Sequence, residues 1–391
     1  MDRIARLHAL AGALLSLATC SGASVVPLNV TLMPQRGNGF RMVTTLNGRP
    51  VLVDTGSSTT ALCPGAPLPP DARALGVYAC DGFGSGAYGF EGAFYAANVT
   101  LGGASMGVAP GASGGNPHKG AGSVEWAPGV RSGPGEPAPE TVLPRANLVA
   151  ITDAVGLSPS NFCEPPLQGI LGVAGAKLNT YVAKVQGSDA FPACESARQA
   201  GALPTSLLRR ASRFALFVNR TTMRGAMLLG SSVGLLTSRL ARVGTTRLLP
   251  THDTFFKVQV AKYVFRGFTL AHPGKNGELP HAILDTGTET MVVPSGLLQA
   301  FARAGLNAAE PSAPNQTLLL KVSLPEAGRA RNFHLALDLN LYYQLNLPQE
   351  ASSKIGMFAE GSGASVLGLP LWFFYATVFD LDAKTVAFYL V

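Results

Sequence analysis

The sequence predicts an all-β protein, and three observations support this fold class. Hydrophobic residues make up 47% of the 391 residues and charged residues only 14%, which is typical of a chain with a sizeable core. The 45 glycines and 28 prolines predict many turns, and the apolar runs between them are short. Two of these runs, residues 51–53 and 282–284, are β-branched and lead directly into Asp-Thr-Gly followed by a hydroxyl residue.

Residues 1–24 are predicted to be a secretory signal. They combine an Arg-containing start, an apolar run over residues 7–19 and small residues at 20–23. This run is too short to span a bilayer, and no other stretch reaches that length, so no transmembrane anchor is expected. We therefore expect a protein that is secreted or lies in the lumen of the secretory or endolysosomal pathway.

The first strands are predicted around a tight turn. Residues 25–32 and 40–46 have strand character, and Asn47-Gly48 is a strong hairpin signal. Residues 51–53 form the returning strand, which brings Asp54 to the mouth of a buried strand. A side chain at such a position is held in a fixed orientation by the strand.

The middle of the chain is rich in glycine. Residues 82–92 predict a glycine-laced hairpin, followed by a strand to residue 101, and this hairpin is either a mobile cover over a cleft or an ordinary surface hairpin. Residues from about 102 to 138 are low-complexity Gly, Pro, Ser and Ala, which predicts a flexible surface insertion. Further strands are expected at residues 147–152 and 213–218.

The second half of the chain partly repeats the first. A long strand is predicted over residues 255–265, a helix over 294–304, and further strands over 318–324, 333–337 and 371–391. The second Asp-Thr-Gly takes a position in its half similar to that of the first. We therefore expect a duplicated organisation, with residues 25–212 forming an N-terminal lobe and residues 213–391 a C-terminal lobe.

The two aspartates, Asp54 and Asp285, are the candidate catalytic residues. Two carboxylates that share one proton provide both a general base for water and an acid for a scissile carbonyl, because like charges a few ångströms apart do not both ionise readily. Six neighbours are expected to support them. The threonines brace the turns, the glycines avoid crowding, and the next hydroxyls bond the outer carboxylate oxygens: Thr55, Gly56, Ser57, Thr286, Gly287 and Thr288.

Other chemistries find little support in the sequence. The histidines show no metal-ligand spacing, so neither a metal nor another cofactor is expected. Ser57 lacks a Gly-x-Ser-x-Gly setting, and residues 82–92 lack the Lys-Ser/Thr of a phosphate loop. The net charge of +7 comes from scattered Lys and Arg without interleaved aromatics, so nucleic-acid binding is not expected.

Four cysteines remain after Cys20 leaves with the signal. They allow three pairings, of which we favour the sequence-adjacent one, Cys63 with Cys80 and Cys163 with Cys194, over a zinc site. Four Asn-x-Thr triplets are compatible with a glycoprotein made in the secretory pathway: Asn29, Asn98, Asn219 and Asn315.

Asp54-Thr55-Gly56-Ser57-Ser58 and Asp285-Thr286-Gly287-Thr288 resemble the two active-site motifs of the pepsin-like aspartic proteases. Residues 169–172 and 366–368 also resemble signatures of this family, and residues 145–152 with Ala61 resemble its memapsin branch. The resemblance implies a bilobal fold of two β-barrel-like lobes, with one aspartate in each and a cleft for an extended peptide or protein substrate. It also implies a secreted, monomeric aspartic endopeptidase with an acidic optimum and a shared-proton mechanism.

Three departures from the family pattern favour an alternative. The position of the usual flap tyrosine falls near Ser85, which leaves Phe83 and Tyr88 as flap candidates, and Ala61 replaces a common tryptophan. Little chain separates the signal from the first strand, so we expect no inhibitory propeptide. The alternative is a catalytically weak or inactive binding or inhibitory protein with the pepsin fold, as in the plant xylanase inhibitors.

Overall fold

The structure is a computed structural model, and it describes sixteen stretches of the chain: residues 24–33, 39–83, 88–102, 140–156, 162–163, 165–175, 180–183, 201–202, 208, 211–220, 222–250, 255–271, 280–303, 319–338, 357–359 and 365–391. Residues 1–23 of the predicted signal lie outside these residues, as does nearly all of the predicted Gly/Pro insertion, whereas Ser24 is already the first residue of a strand. Ser85, Cys194 and Asn315 also lie outside the described residues.

The prediction of an all-β protein is confirmed, because strands dominate the described residues. In the first part of the chain they are β1 (Ser24–Met33), β2 (Gly39–Leu46), β3 (Arg49–Asp54), β4 (Ala61–Leu62), β5 (Arg73–Phe83), β6 (Tyr88–Gly102), β7 (Glu140–Gly156), β8 (Gly169–Gly172), β9 (Thr180–Ala183), β10 (Gly201–Ala202), β11 (Arg213–Asn219) and β12 (Arg224–Leu229).

The remaining strands are β13 (Arg242–Arg247), β14 (Lys257–Gln259), β15 (Lys262–Phe265), β16 (Phe268–Leu270), β17 (His281–Leu284), β18 (Met291–Val293), β19 (Leu319–Pro325), β20 (Asn332–Asp338), β21 (Met357–Ala359), β22 (Ser365–Leu367), β23 (Tyr375–Asp380) and β24 (Thr385–Leu390). Two short α-helices are described, α1 (Val233–Thr237) and α2 (Ser295–Arg303), and 3₁₀ turns cover Gly230–Ser232 and Leu369–Phe373. None of the described helices is long and apolar enough to cross a membrane.

The predicted hairpin before Asp54 is confirmed. β2 and β3 pair antiparallel, with Val43 opposite Leu52 and Leu46 opposite Arg49. At the turn, Asn47 has φ 50° and Gly48 has φ 75°, the left-handed backbone that a two-residue hairpin turn requires. Asn47 also links the turn to β6, because its Oδ1 accepts a hydrogen bond from the Thr100 N–H at 2.7 Å. The strand that ends at Asp54 is therefore held in a fixed register.

One order of five strands occurs twice in the structure. Strands β2-β3-β8-β4-β7 lie side by side in the 15-stranded sheet, and strands β14-β17-β22-β18-β21 form a separate five-stranded sheet. In the first unit, β3 precedes Asp-Thr-Gly and pairs antiparallel with β2 and parallel with β8. In the second unit, β17 precedes Asp-Thr-Gly and pairs antiparallel with β14 and parallel with β22. The duplication expected from the sequence is thus present in the strand order.

A run of antiparallel strands joins these two units. It follows the order β2-β1-β12-β11-β23-β24-β13 within the large sheet, so β1 pairs with β12 from the second half of the chain. A β-bridge between Leu248, directly after β13, and Val258 of β14 connects this run to the second unit. One buried apolar cluster includes Val53 before the first Asp-Thr-Gly and Leu284 before the second. Trp372 is fully buried in this cluster, and its Nε1 donates a hydrogen bond to Thr377 Oγ1 at 2.9 Å, which satisfies its polar atom.

Three strand predictions need correction. Residues 255–265 are two strands, since β14 pairs with β17 while β15 pairs with β16 and β19 in another sheet. The backbone changes partner at this point, as Val260 N–H donates to Pro280 O and Ala261 N–H donates to Ser323 O. The closing apolar segment begins with a 3₁₀ turn that contains Pro370, and the strand expected at residues 147–152 is the longer β7 (Glu140–Gly156).

The favoured disulfide pairing is wrong, because the observed bond uses one cysteine from each of the two predicted pairs. Cys63 is bonded to Cys163, and their Cα atoms lie 5.5 Å apart. Cys63 directly follows β4, which pairs with β8, and its N–H donates to Gln168 O at 3.0 Å. This strand pairing brings the segment before β8 to Cys63, although 100 positions separate the two cysteines in the chain.

We expect Cys63→Ser to lower the free energy of unfolding by roughly 2–5 kcal/mol, because the bond closes a long loop in the unfolded chain. Denaturant unfolding of the purified protein measures this loss, and non-reducing peptide mapping identifies the Cys63–Cys163 peptide. Cys163→Ser is the matched control and should lose the same amount, as should the double variant. Additive losses in the double variant would contradict the pairing.

Candidate active site

Each aspartate lies at the end of a buried strand that a later strand holds in place. Asp54 ends β3 and pairs with Gly172 of β8, and its carbonyl accepts the Val173 N–H at 2.9 Å. Asp285 directly follows β17, and its N–H donates to Leu367 O of β22 at 3.1 Å. The same construction therefore positions both residues.

The glycine of each Asp-Thr-Gly turn lies against the aspartate of the other turn. A Cβ atom built on Gly56 would stand 2.6 Å from Asp285 Cγ, and one built on Gly287 would stand 2.6 Å from Asp54 Cγ. Such distances are too short for any side chain, so both positions require glycine. The reciprocal contact also shows that two aspartates far apart in the chain face each other across the two turns.

The two threonines connect the turns through four buried hydrogen bonds. The Thr55 hydroxyl donates to Leu284 O at 2.8 Å and accepts the Thr286 N–H at 2.9 Å. The Thr286 hydroxyl donates to Val53 O at 2.7 Å and accepts the Thr55 N–H at 3.0 Å. Both residues are almost fully buried. These hydrogen bonds of Thr55 and Thr286 link the two turns to each other, which is the role expected of the two threonines.

Hydrogen bonds from its own turn hold each carboxylate. The Gly56 N–H donates to Asp54 Oδ1 at 2.7 Å, and the Gly287 N–H donates to Asp285 Oδ1 at 2.8 Å. Asp54 is 6% exposed, whereas Asp285 is partly exposed. Because one carboxylate oxygen of each residue is fixed by the backbone, the side chains have little freedom to turn away from each other.

The hydroxyls at the fourth motif position behave differently in the two turns. Thr288 Oγ1 donates to Asp285 Oδ2 at 2.6 Å, as expected. Ser57 is 3% exposed, and its hydroxyl has no hydrogen-bond partner among the described residues, so the expectation that it bonds the Asp54 carboxylate is not met. Threonine is β-branched and has few rotamers, which helps to aim its hydroxyl, while serine lacks this restriction.

The flap candidates lie at the end of the β5–β6 hairpin. Phe83 is the last residue of β5 and Tyr88 the first of β6, and their backbones are direct partners in the antiparallel register. Residues 84–87, which include the expected flap position near Ser85, lie outside the described residues. The predicted hairpin is therefore present, and these two residues flank its tip.

An ion pair next to the candidate site was not predicted. Arg41 of β2 is paired with Glu289, which directly follows Thr288, and their side chains are 8% and 23% exposed. A charged residue inside a strand as apolar as β2 is the sequence signal for such a pair, because a buried cation needs an opposite charge. The partner is far along the chain, so the sequence alone does not identify it.

The described residues contain no group of three or more His, Cys, Asp or Glu that would hold a metal ion. The chemistry available to the site is that of two facing carboxylates on a rigid support. Such a pair can hold one proton between its members and bind a water molecule that the ionised member activates.

We expect Thr55→Val to destabilise the protein, because the isosteric change leaves the Thr286 N–H buried without an acceptor and Leu284 O without its donor. An unsatisfied buried polar group costs about 1–3 kcal/mol, and urea unfolding measures the loss. Thr55→Ser keeps the hydroxyl and is the matched control. Equal stability of the valine and serine variants would show that these hydrogen bonds do not stabilise the fold.

The chain was also compared with known proteins. No protein-family model matches it, and no curated protein matches it either.

Proposed function

We propose that this chain is a pepsin-like aspartic endopeptidase in which Asp54 and Asp285 activate a water molecule to hydrolyse a peptide bond. The observation that carries the proposal is the reciprocal contact of each glycine with the opposite aspartate. Contacts of this kind require the two acids to share one small space. Two unrelated turns with solvated aspartates would have no reason to meet in this way.

The fold in this proposal is the bilobal pepsin fold. It is supported by the repeated five-strand order, which gives each unit one Asp-Thr-Gly turn, and by the antiparallel strands that join the units. The substrate is an extended peptide or an unfolded protein segment, bound in a cleft above the two aspartates. The β5–β6 hairpin, whose tip Phe83 and Tyr88 flank, is the flap that covers this cleft.

The mechanism requires one proton on the carboxylate pair. The ionised aspartate takes a proton from the bound water as the oxygen attacks the scissile carbonyl carbon, and the protonated aspartate donates its proton to the carbonyl oxygen. A tetrahedral diol forms, and its collapse breaks the C–N bond while a carboxyl group returns a proton to the leaving nitrogen. The fixed Oδ1 atoms keep both acids aimed at the same water throughout.

Removal of either acid should abolish the activity. We expect Asp54→Asn and Asp285→Asn each to reduce cleavage of an unfolded protein by roughly 10²–10⁴-fold, since each removes a proton-transfer group. The assay is pepstatin-sensitive proteolysis at about pH 4. Asp382→Asn, a change on an exposed turn, is the matched control and should keep full activity.

Undiminished cleavage by either active-site variant would reject the assignment. A wild-type protein that cleaves nothing from acidic to neutral pH, yet forms a stable complex with a secreted enzyme, would favour the binding or inhibitory alternative. The two complete Asp-Thr-Gly motifs argue for catalysis, because a protein that only binds a partner has no chemical need for paired acids.

A secretory route belongs to the same proposal, and Asn98 is the sequon whose surroundings best fit a glycan. Asn98 is exposed, and its Oδ1 accepts the Arg145 N–H at 3.0 Å. Its backbone N–H donates to Asp71 Oδ2 at 3.0 Å, while its side-chain Nδ2 makes no hydrogen bond within the described residues. Asn29 is half-buried in β1 between β2 and β12, and Asn219 Oδ1 accepts the Thr222 N–H at 3.0 Å.

We expect a glycan on Asn98 when the full chain is expressed in a eukaryotic secretory host. The measurement is mass spectrometry of the secreted protein before and after enzymatic removal of N-glycans. Asn98→Gln should lose one glycan, and Asn29→Gln, the control in a paired central strand, should lose none. An unmodified Asn98 in the secreted protein would contradict this prediction.

A further inference from the structure

We infer that the Arg41–Glu289 ion pair positions the two aspartates relative to each other, and this inference rests on the proposed function. The pair joins β2 to the segment that follows the second Asp-Thr-Gly. The Arg41 side chain is 8% exposed, so its charge is withdrawn from water and depends on the carboxylate for compensation. Two parts of the chain that carry different aspartates are thereby tied by a charged contact.

The arginine lies beside the strand that carries Asp54. Val43 of β2 pairs with Leu52 of β3, Arg41 lies two residues before Val43, and Asp54 lies two residues after Leu52. Arg41 therefore occupies the end of β2 that is next to Asp54. Its Nη1 also donates to the neighbouring Phe40 O at 3.3 Å, which restricts the guanidinium further.

The glutamate lies beside the turn that carries Asp285. Glu289 directly follows Thr288, whose hydroxyl bonds the Asp285 carboxylate at 2.6 Å. A displacement of Glu289 would move Thr288 and, through it, the carboxylate. Through the ion pair, a shift of β2 would therefore also move Asp285 Oδ2, the carboxylate oxygen that Thr288 bonds.

A second contact supports this junction. Phe40, next to Arg41, packs edge-to-face on Phe373, with ring centroids 5.4 Å apart. Phe373 belongs to the 3₁₀ turn that follows Gly368, and Leu369 N–H in that turn donates to Thr288 O at 2.8 Å. Two successive residues of β2 thus contact the support of the second aspartate, one by packing and one by charge.

The threonine hydrogen bonds act at a different place. Thr55 and Thr286 connect the turns directly beneath the aspartates, whereas Arg41 and Glu289 connect the segments on either side of them. The threonines hold the turns together, and the ion pair limits how the Asp285 turn tilts relative to Asp54. Small errors in such an alignment cost catalytic rate, because proton transfer needs hydrogen-bond geometry.

The test compares Arg41→Met, Glu289→Gln and the double variant in the full-length protein. Glu289→Gln leaves the buried Arg41 charge without its partner, and Arg41→Met leaves the partly buried Glu289 charge without its partner, so each should lower both Tm and kcat. The double variant removes both charges, so its Tm should recover, since a buried ion pair contributes little net stability. If the pair positions the aspartates, kcat of the double variant stays roughly 10–100-fold below wild type, with KM nearly unchanged.

Three further measurements make the result specific. Titration with pepstatin counts intact active sites, so a lower kcat is not mistaken for a smaller folded fraction. Arg41→Lys keeps the charge without the planar fork of donors and should recover part of kcat. Arg213→Gln breaks a more exposed pair with Asp380, whose N–O distance is 3.7 Å, and should change neither kcat nor KM.

A double variant with both Tm and kcat of wild type would overturn the inference, because the pair would then serve stability alone. Crystal structures of wild type and the double variant give a test that does not require activity. We expect the Asp54–Asp285 separation to change by about 0.5 Å or more, the tolerance of a catalytic geometry. An unchanged separation would also overturn the inference, whereas an inactive wild type would reject only the proposed function.

Discussion

The close approach of the two Asp-Thr-Gly turns is the constraint on which the rest of the structure depends. Each glycine contacts the carboxylate of the other turn, and each threonine hydroxyl bonds the backbone of the other turn. These contacts leave no room for a side chain at residue 56 or 287. The strand ends that carry the two aspartates must therefore meet with an accuracy of a few tenths of an ångström.

The repeated strand order explains how a chain of this length reaches such accuracy. In each unit the strand before the aspartate lies between two neighbours, so its end is fixed on both sides: β3 lies between β2 and β8, and β17 between β14 and β22. The parallel partners come from much later in the chain, which makes these contacts long-range. The shared apolar cluster and the antiparallel strands between the units then fix one strand end relative to the other.

Local signals in the sequence predicted the parts of the site that depend on local structure. Asn47-Gly48 sets a turn whose left-handed backbone few other residues adopt, and the apolar run before each aspartate is short enough to indicate a strand. The Asp-Thr-Gly motifs also predicted the glycine and threonine roles. The approach of the two turns that brings Asp54 next to Asp285 depends on contacts between distant segments, which no local pattern encodes.

The misses come from interactions between distant segments. The disulfide follows from the pairing of β4 with β8. The break after Val260 follows from a change of sheet, at which the buried positions shift from Val258 and Val260 to Tyr263 and Phe265. The direction of the Ser57 hydroxyl depends on a rotamer that a serine side chain leaves open. The partner of Arg41 is set by the approach of the two units, so hydrophobic periodicity identifies the buried cation but not the glutamate that balances it.

The two turns are related by the repeat, yet their surroundings are not equivalent. Counting from each aspartate, Arg41 corresponds to Phe255 in the second unit, and Glu289 corresponds to Ser58 in the first. Phe255 and Ser58 carry no charge, so the ion pair has no counterpart at the equivalent positions of the repeat. The Glu289 end of the pair adjoins Thr288, which also holds the Asp285 carboxylate. A duplicated support brings two like acids together, but acid–base chemistry requires one of them to be ionised and the other protonated. The unequal surroundings distinguish the two carboxylates without disturbing the shared backbone, since they differ in side chains at positions that the repeat leaves open.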